Sequence, residues 1–141
     1  MPLTRLIYRS QNAMNVAGPR LLLHFQDIVA TARRNNPSRE ICGFLMFDRY
    51  RFHQILEGPG DAVDRLFATI SGDIRHTNVE SLSREAIASR LFSDWSMGSF
   101  LTETATHPLM LRHAVVLDAP LEATQFLHFA MDFVGQPTAA K

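Results

Sequence analysis

The order in which two hydrophobic periods follow one another restricts this chain's fold more than any other feature. Thr4 to Arg9 alternates polar and apolar residues and ends in β-forming types, which predicts a strand. Arg20 to Asn35 carries Leu21, Leu22, Phe25, Ile28, Val29 and Ala32 at the i, i+3/i+4, i+7 spacing of one helix face. Gly18-Pro19 opens that helix, Arg33 and Arg34 suit its C-terminal dipole, and Asn35-Asn36-Pro37 stops it. Glu40 to Phe47 and Arg51 to Glu57 are apolar runs joined by the short hairpin connection Asp48-Arg49-Tyr50. Gly58-Pro59-Gly60-Asp61 opens a second helix over roughly residues 60–71, with Val63, Leu66, Phe67 and Ile70 on one side. Val79 to Glu85 reads as a fourth strand.

Strand, helix, strand, strand, helix, strand is the α+β, ferredoxin-like split pattern. There the first and third strands lie side by side in mid-sheet, and both helices cover one face. Period-2 alternation puts Leu6 and Tyr8 on one face of the first strand, and Phe52, Gln54 and Leu56 on one face of the third. If both sets face the helices, Tyr8 and Gln54 are neighbours beneath them. Ile7, Phe44, Met46 and Ile55 point the other way, so the back of the sheet needs a cover. Pro120 to Val134, closed by Gly135 and Pro137, reads as a helix whose Leu121, Phe126, Leu127, Phe129, Ala130, Phe133 and Val134 supply one. Asp94 to Leu101 reads as a fifth strand with Trp95 and Met97 at alternate spacing. The chain divides into a core over 1–101 and a C-terminal helical cap over 102–141 of the same domain.

At 141 residues such a domain buries roughly two-thirds of its unfolded surface. Fourteen acidic and fourteen basic residues balance, so no overall field draws in nucleic acid or an anionic membrane. No apolar run reaches the length of a membrane span, and the N-terminus lacks a basic-then-apolar leader pattern, so a cytoplasmic protein is expected. Cys42, the lone cysteine, forms no internal disulfide. His24, His53, His76, His107, His113 and His128 show no metal-site spacing. Neither a P-loop nor a dinucleotide-binding glycine loop is present, and Ser10 and Ser93 have no evident triad partners.

Tyr8 on its own is compatible with an ordinary core ring whose hydroxyl meets a carbonyl. Gln54 is less ordinary, because burying an amide unsatisfied costs about 1–3 kcal/mol. A surface-facing Gln54 would remove that argument. Asn35 and Asn36 suit a helix end, Ile28 and Ile70 suit any core, and Trp95 and Met97 suit a core or an edge strand.

Together these residues resemble the BLUF family, the flavin-binding sensors of blue light. The resemblance is carried by Leu6-Ile7-Tyr8-Arg9-Ser10, Ala32-Arg33-Arg34-Asn35-Asn36, Ile41-Cys42-Gly43-Phe44-Leu45, Phe52-His53-Gln54-Ile55-Leu56-Glu57-Gly58-Pro59, Asp73-Ile74-Arg75-His76 and Asp94-Trp95-Ser96-Met97. It covers about residues 3 to 100 in order. Cys42 stands where the family usually carries Thr, the loop after Ser10 is a few residues longer than usual, and residues 102–141 match no motif.

The resemblance implies that Tyr8 is the photoactive tyrosine and Gln54 the switching glutamine. It implies that Asn36, with Asn35 beside it, hydrogen-bonds the flavin ring, and that Ile28 and Ile70 sandwich that ring. It places Asp73, Arg75 and His76 near the ribityl and phosphate end, and makes Trp95 and Met97 the mobile pair that relays the signal. The implied cofactor is FAD, with FMN or riboflavin as alternatives because the fold grips mainly the ring. The neutral phenol of Tyr8 would give up and regain an electron and a proton while the Gln54 amide exchanges its accepting and donating ends. The optical sign is a small red shift that reverses in darkness. No fused enzymatic domain follows, so a non-enzymatic sensor is expected to act on a separate downstream protein or through a homo-oligomer. The rival readings are an acylphosphatase-like hydrolase, which would need Arg9 beside an anion-cradling loop, and a flavin-free interaction module.

Overall fold

The computed structural model describes residues 2–136. Ten elements follow one another: β1 (Leu3–Asn12), α1 (Pro19–Asn35), a 3-10 turn (Pro37–Arg39), β2 (Cys42–Phe47), β3 (Arg51–Pro59), α2 (Gly60–Ser71), β4 (His76–Ile87), β5 (Gly98–Leu101), α3 (Pro108–Arg112) and α4 (Ala123–Val134). The strands form one sheet in the order β4-β1-β3-β2-β5. The first four pair antiparallel, and β5 joins the edge parallel to β2. This is the expected ferredoxin-like arrangement with a fifth strand.

The sheet is covered on both faces, which explains why all six residues of β2 are apolar or small and buried. In front, Leu21, Phe25 and Val29 of α1 and Val63 of α2 pack on Leu6, Leu45, Phe47 and Leu56. Behind, Phe126, Phe129 and Ala130 of α4 pack on Ile7, Phe44, Met46 and Ile55. Alternate residues of each strand feed the two cores, so a one-residue slip would exchange them. Register is pinned at the β2–β3 hairpin, where buried Asp48 Oδ1 accepts from the backbone N–H of Tyr50 at 3.0 Å and of Arg51 at 2.8 Å.

Three expectations are corrected. The fifth strand begins at Gly98, not Asp94. Residues 93–97 form a turn in which Trp95 N–H donates to Phe92 O and Trp95 O accepts from Gly43 N–H. Trp95 and Met97 therefore do not share a strand face: Trp95 enters the rear core and Met97 the front one. Gly98 permits this crossing, because a Cβ there would sit 2.8 Å from Trp95 Cε3 and 2.9 Å from Phe44 Cδ2. The C-terminal helix begins at Ala123 rather than Pro120, since the Leu121 peptide is held by sheet side chains. A short α3, unanticipated, precedes it, capped by His107 Nδ1 accepting from Leu109 N–H at 3.1 Å. Pro137, expected to help close α4, lies outside the described residues. Among the described residues no helix is long and apolar enough to cross a membrane.

Candidate functional site

A cavity of about 270 Å³ opens between α1, α2 and the front of the sheet. Its walls are two helical stripes. Ile28, Thr31, Ala32 and Asn35 line it from α1, while Leu66, Thr69 and Ile70 line it from α2. Its floor is Tyr8, Leu45, Phe52 and Gln54. The rim carries Arg39 on one side and Asp73, Arg75 and His76 on another.

Tyr8 and Gln54 are directly opposite in the β1–β3 register and both are buried. Tyr8 Oη donates a hydrogen bond to Gln54 Oε1. Gln54 Nε2 donates to Met97 Sδ at 3.4 Å, an orientation that follows because a thioether can only accept. Burial, with a smaller contribution from the Asp73 carboxylate, pushes the Tyr8 phenol well above its ordinary value of 10.0. The phenol is therefore a firmly protonated donor. Phe67 packs on its ring at 5.3 Å between centroids.

The remaining polar groups are braced. Asn36 Nδ2 donates to Ser96 O at 2.9 Å, and Arg33 Nε donates to Met97 O at 2.9 Å, so α1 grips the turn that leads into β5. The Asp73 carboxylate receives Arg75 Nε at 3.0 Å and Nη2 at 2.5 Å, and these bonds hold it below the usual carboxylate range. His76 Nε2 lies 2.6 Å from Ile70 O, which can only accept. That carbonyl fixes a proton on Nε2, and Nδ1 shares a hydrogen bond with Ser10 Oγ at 2.7 Å.

Thus Tyr8, Ile28, Asn35, Asn36, Gln54, Ile70, Asp73, Arg75 and His76 all line one cavity. Met97 touches its floor through Gln54, whereas Trp95 lies behind the sheet. Sequence reasoning missed the lining residues Thr31, Leu66 and Thr69. They sit on the helix faces of Ile28 and Ile70, within one turn of them, and that spacing is the signal that could have found them. Arg9, the cation a hydrolase would need, is committed behind the sheet to Glu80 at 3.1 Å and Leu121 O at 2.9 Å.

A flavin ring is flat, apolar on both faces and polar along one edge. The two isoleucines on facing helices match the faces, and the side-chain amides match the edge. Gln54 Nε2 has two N–H bonds and a weak sulfur acceptor for one of them, so a ligand carbonyl would satisfy a poorly served buried donor. The volume falls just below the roughly 300–1,000 Å³ of small-molecule sites, which suits a ring with its tail at the mouth. The residues fit the group.

A ferredoxin-like sheet with a buried phenol–carboxamide pair under two helices defines a domain shaped to hold a planar heterocycle. A family model described as BLUF, sensors of blue-light using FAD, matches residues 3–98. The chain belongs to the BLUF family, whose domains are blue-light sensors that use a flavin. Photoactivated adenylate cyclase subunit beta of Euglena gracilis is 36% identical over 110 residues, which are 77% of this chain and 12% of that protein. The chain thus spans about an eighth of that curated relative. The solved structure of BlsA in its photo-activated state is 30% identical, with a TM-score of 0.80 and 99% of each chain covered. A Klebsiella pneumoniae BlrP1 structure with FMN and cyclic diGMP is 36% identical, with a TM-score of 0.62 over 70% of this chain and 25% of that one.

Proposed function

We propose that Tyr8 and Gln54 are the photoactive pair and that FAD is the flavin, held by Ile28, Ile70, Asn35 and Asn36 around the ring and by Asp73, Arg75 and His76 toward its tail. The observation that carries this is the hydrogen-bonded chain from Tyr8 Oη through the Gln54 amide to Met97 Sδ on the cavity floor. A bound flavin supplies absorption of blue light and an excited state able to accept an electron. In the dark Tyr8 keeps its proton, because burial disfavours the phenolate. Once an electron is drawn from the ring, the phenol becomes acidic, and Gln54 Oε1 is the acceptor already in place. Tautomerisation alone would move a proton from nitrogen to oxygen without turning the group, whereas rotation of the amide presents its carbonyl oxygen to Met97. A carbonyl oxygen cannot donate to a thioether, so the bond to Sδ is lost.

Met97 leads directly into β5, where Phe100 packs on Phe129 and Phe133 of α4 at 5.4 and 5.3 Å between ring centroids. That contact supports a signal passed from Met97 through β5 to the cap over residues 102–141, with Trp95 as the rear half of the same turn. The proposed output is non-enzymatic and cytoplasmic, delivered to a downstream protein or through self-association into a homo-oligomer. Tyr8→Phe and Gln54→Leu test the pair: each is expected to retain flavin and lose the reversible red shift in a light-minus-dark absorption spectrum. A normal shift in either variant refutes the assignment. Chromatography of the flavin released on denaturation tests the choice of FAD.

A further inference from the structure

Consecutive residues of a strand project to opposite faces, so the pair behind Tyr8 and Gln54 is Arg9 and His53. These two are also register partners. Both point into the rear layer and meet at one residue's backbone. Arg9 Nη1 donates to Leu121 O at 2.9 Å, and Leu121 N–H donates to His53 Nε2 at 3.0 Å. Leu121 is buried and lies two residues before α4 begins. Both hydrogen-bonding groups of that residue's backbone are thus taken by side chains one position away from the photoactive pair.

Two further ties hold the same stretch. Asp48 Oδ2 accepts from Asp118 N–H at 2.8 Å, and Arg51 Nε lies 3.5 Å from Asp118 Oδ1. Asp118 adopts the left-handed backbone, φ 55°, a conformation that persists where its surroundings over-determine it. The His53 ring also rests 5.4 Å from that of Phe126, in the first turns of α4. Segment 118–121 is therefore laced to β1, β3 and the β2–β3 hairpin, whereas β5 reaches α4 through ring packing alone among the contacts described.

Resting on the assignment of Tyr8 and Gln54 above, we propose that Arg9 and His53 are positioning residues for signal output. They form a clamp on the Leu121 backbone that carries displacement of β1 and β3 straight through the sheet to the start of α4, in parallel with the route along β5. A strand is stiff along its peptide planes. A change of hydrogen bonding at residue 8 or 54 tilts the peptides shared with residues 9 and 53. Two hydrogen bonds from different strands to the two ends of one residue convert that tilt into rotation of the Leu121 backbone.

The test uses flavin-loaded full chain carrying Arg9→Met, His53→Phe or both. Three readouts are taken: the red shift on blue illumination, dark-state amide hydrogen exchange over residues 118–134, and the light-minus-dark exchange difference over the same residues. The expected result is a retained red shift with loss of the light-induced difference over 121–134 in the double variant and a reduced difference in each single. If His53→Phe does not fold, Arg9→Met, at a side chain 18% exposed, decides the matter alone. Folded variants that exchange faster in the dark yet keep the full light-induced difference would overturn the proposal, because the clamp would then only dock α4. A wild-type chain with no light response over 121–134, or loss of the red shift in Arg9→Met, would overturn it too. Failure of the photoactive assignment itself is read separately, from a normal red shift in Tyr8→Phe or Gln54→Leu.

Discussion

Acid should destabilise this protein through one buried imidazole. His53 is 2% exposed, and desolvation, followed by the nearby Arg9 and Arg51 charges, lowers its pKa from 6.5 to about 3. Because the folded value is the depressed one, the neutral ring is fully compatible with folding above pH 6.5. Stability falls as pH drops from there toward 3, since the unfolded chain takes up a proton that the native chain refuses. At pH 5 an unfolded imidazole is about 97% protonated and the folded ring almost wholly neutral, a difference worth about 2 kcal/mol. For a chain of this size that corresponds to roughly 8 °C in Tm. The geometry gives the same sign: protonating Nε2 would evict the Leu121 N–H that donates to it. Urea unfolding of flavin-loaded protein at pH 7.5 and pH 5.0 measures the effect, with His53→Phe as the comparison. The variant lowers stability at both pH values, because Leu121 N–H loses its acceptor, so the slope and not the level is diagnostic. Wild type should lose about 2 kcal/mol more than the variant between the two pH values. Equal losses would refute the reasoning.

Three other outcomes follow from single contacts. Gly98→Ala drives a methyl group between Trp95 and Phe44 and should cost about 1–3 kcal/mol in chemical unfolding, with a changed emission spectrum from the only tryptophan. Glu57→Gln removes a fully buried carboxylate that holds Arg5 Nε at 2.8 Å and accepts the backbone N–H of Leu91 and Phe92, both at 3.0 Å. Arg5 would keep only the longer contact of its Nη1 with the exposed Glu85 carboxylate at 3.4 Å, so losing the buried partner should cost about 3 kcal/mol, again read by denaturant midpoint. Burial, with the Glu57 charge adding to it and Arg90 opposing it, pushes the Cys42 thiol up to about 11. At pH 8 its alkylation should be at least about 100-fold slower in the folded protein than in urea, from thiolate fraction alone.

Much of the site was legible because strand and helix periods are local. Counting alternate residues puts Tyr8 with Leu6 and Gln54 with Phe52 and Leu56, and the split topology makes their strands adjacent; that this face is the helix-covered one is seen in the fold. The 3.6-residue stripes put Ile28 and Ile70 on apolar helix faces like any core residue; their place at the site was implied only by the resemblance to the BLUF family. The turn before β5 was not legible. Trp95, Met97 and their apolar neighbours read as a strand at any local scale. Their division between two cores depends on the gap that Gly98 leaves between Trp95 and Phe44, and on a Gly43–Trp95 backbone bond spanning about fifty residues of sequence.

The C-terminal region shows the same boundary. Its apolar residues announced a helix behind the sheet, because a row of large side chains has to leave water wherever the chain ends up. That α4 starts at Ala123, and that Leu121 is pinned open before it, follows from side chains of Arg9 and His53 more than sixty residues away. Periodicity decides which face of an element is buried. Which partner meets that face, and which polar groups end up paired there, is settled when distant strands come together, since hydrogen bonds need ångström-level placement that hydrophobic pattern does not encode.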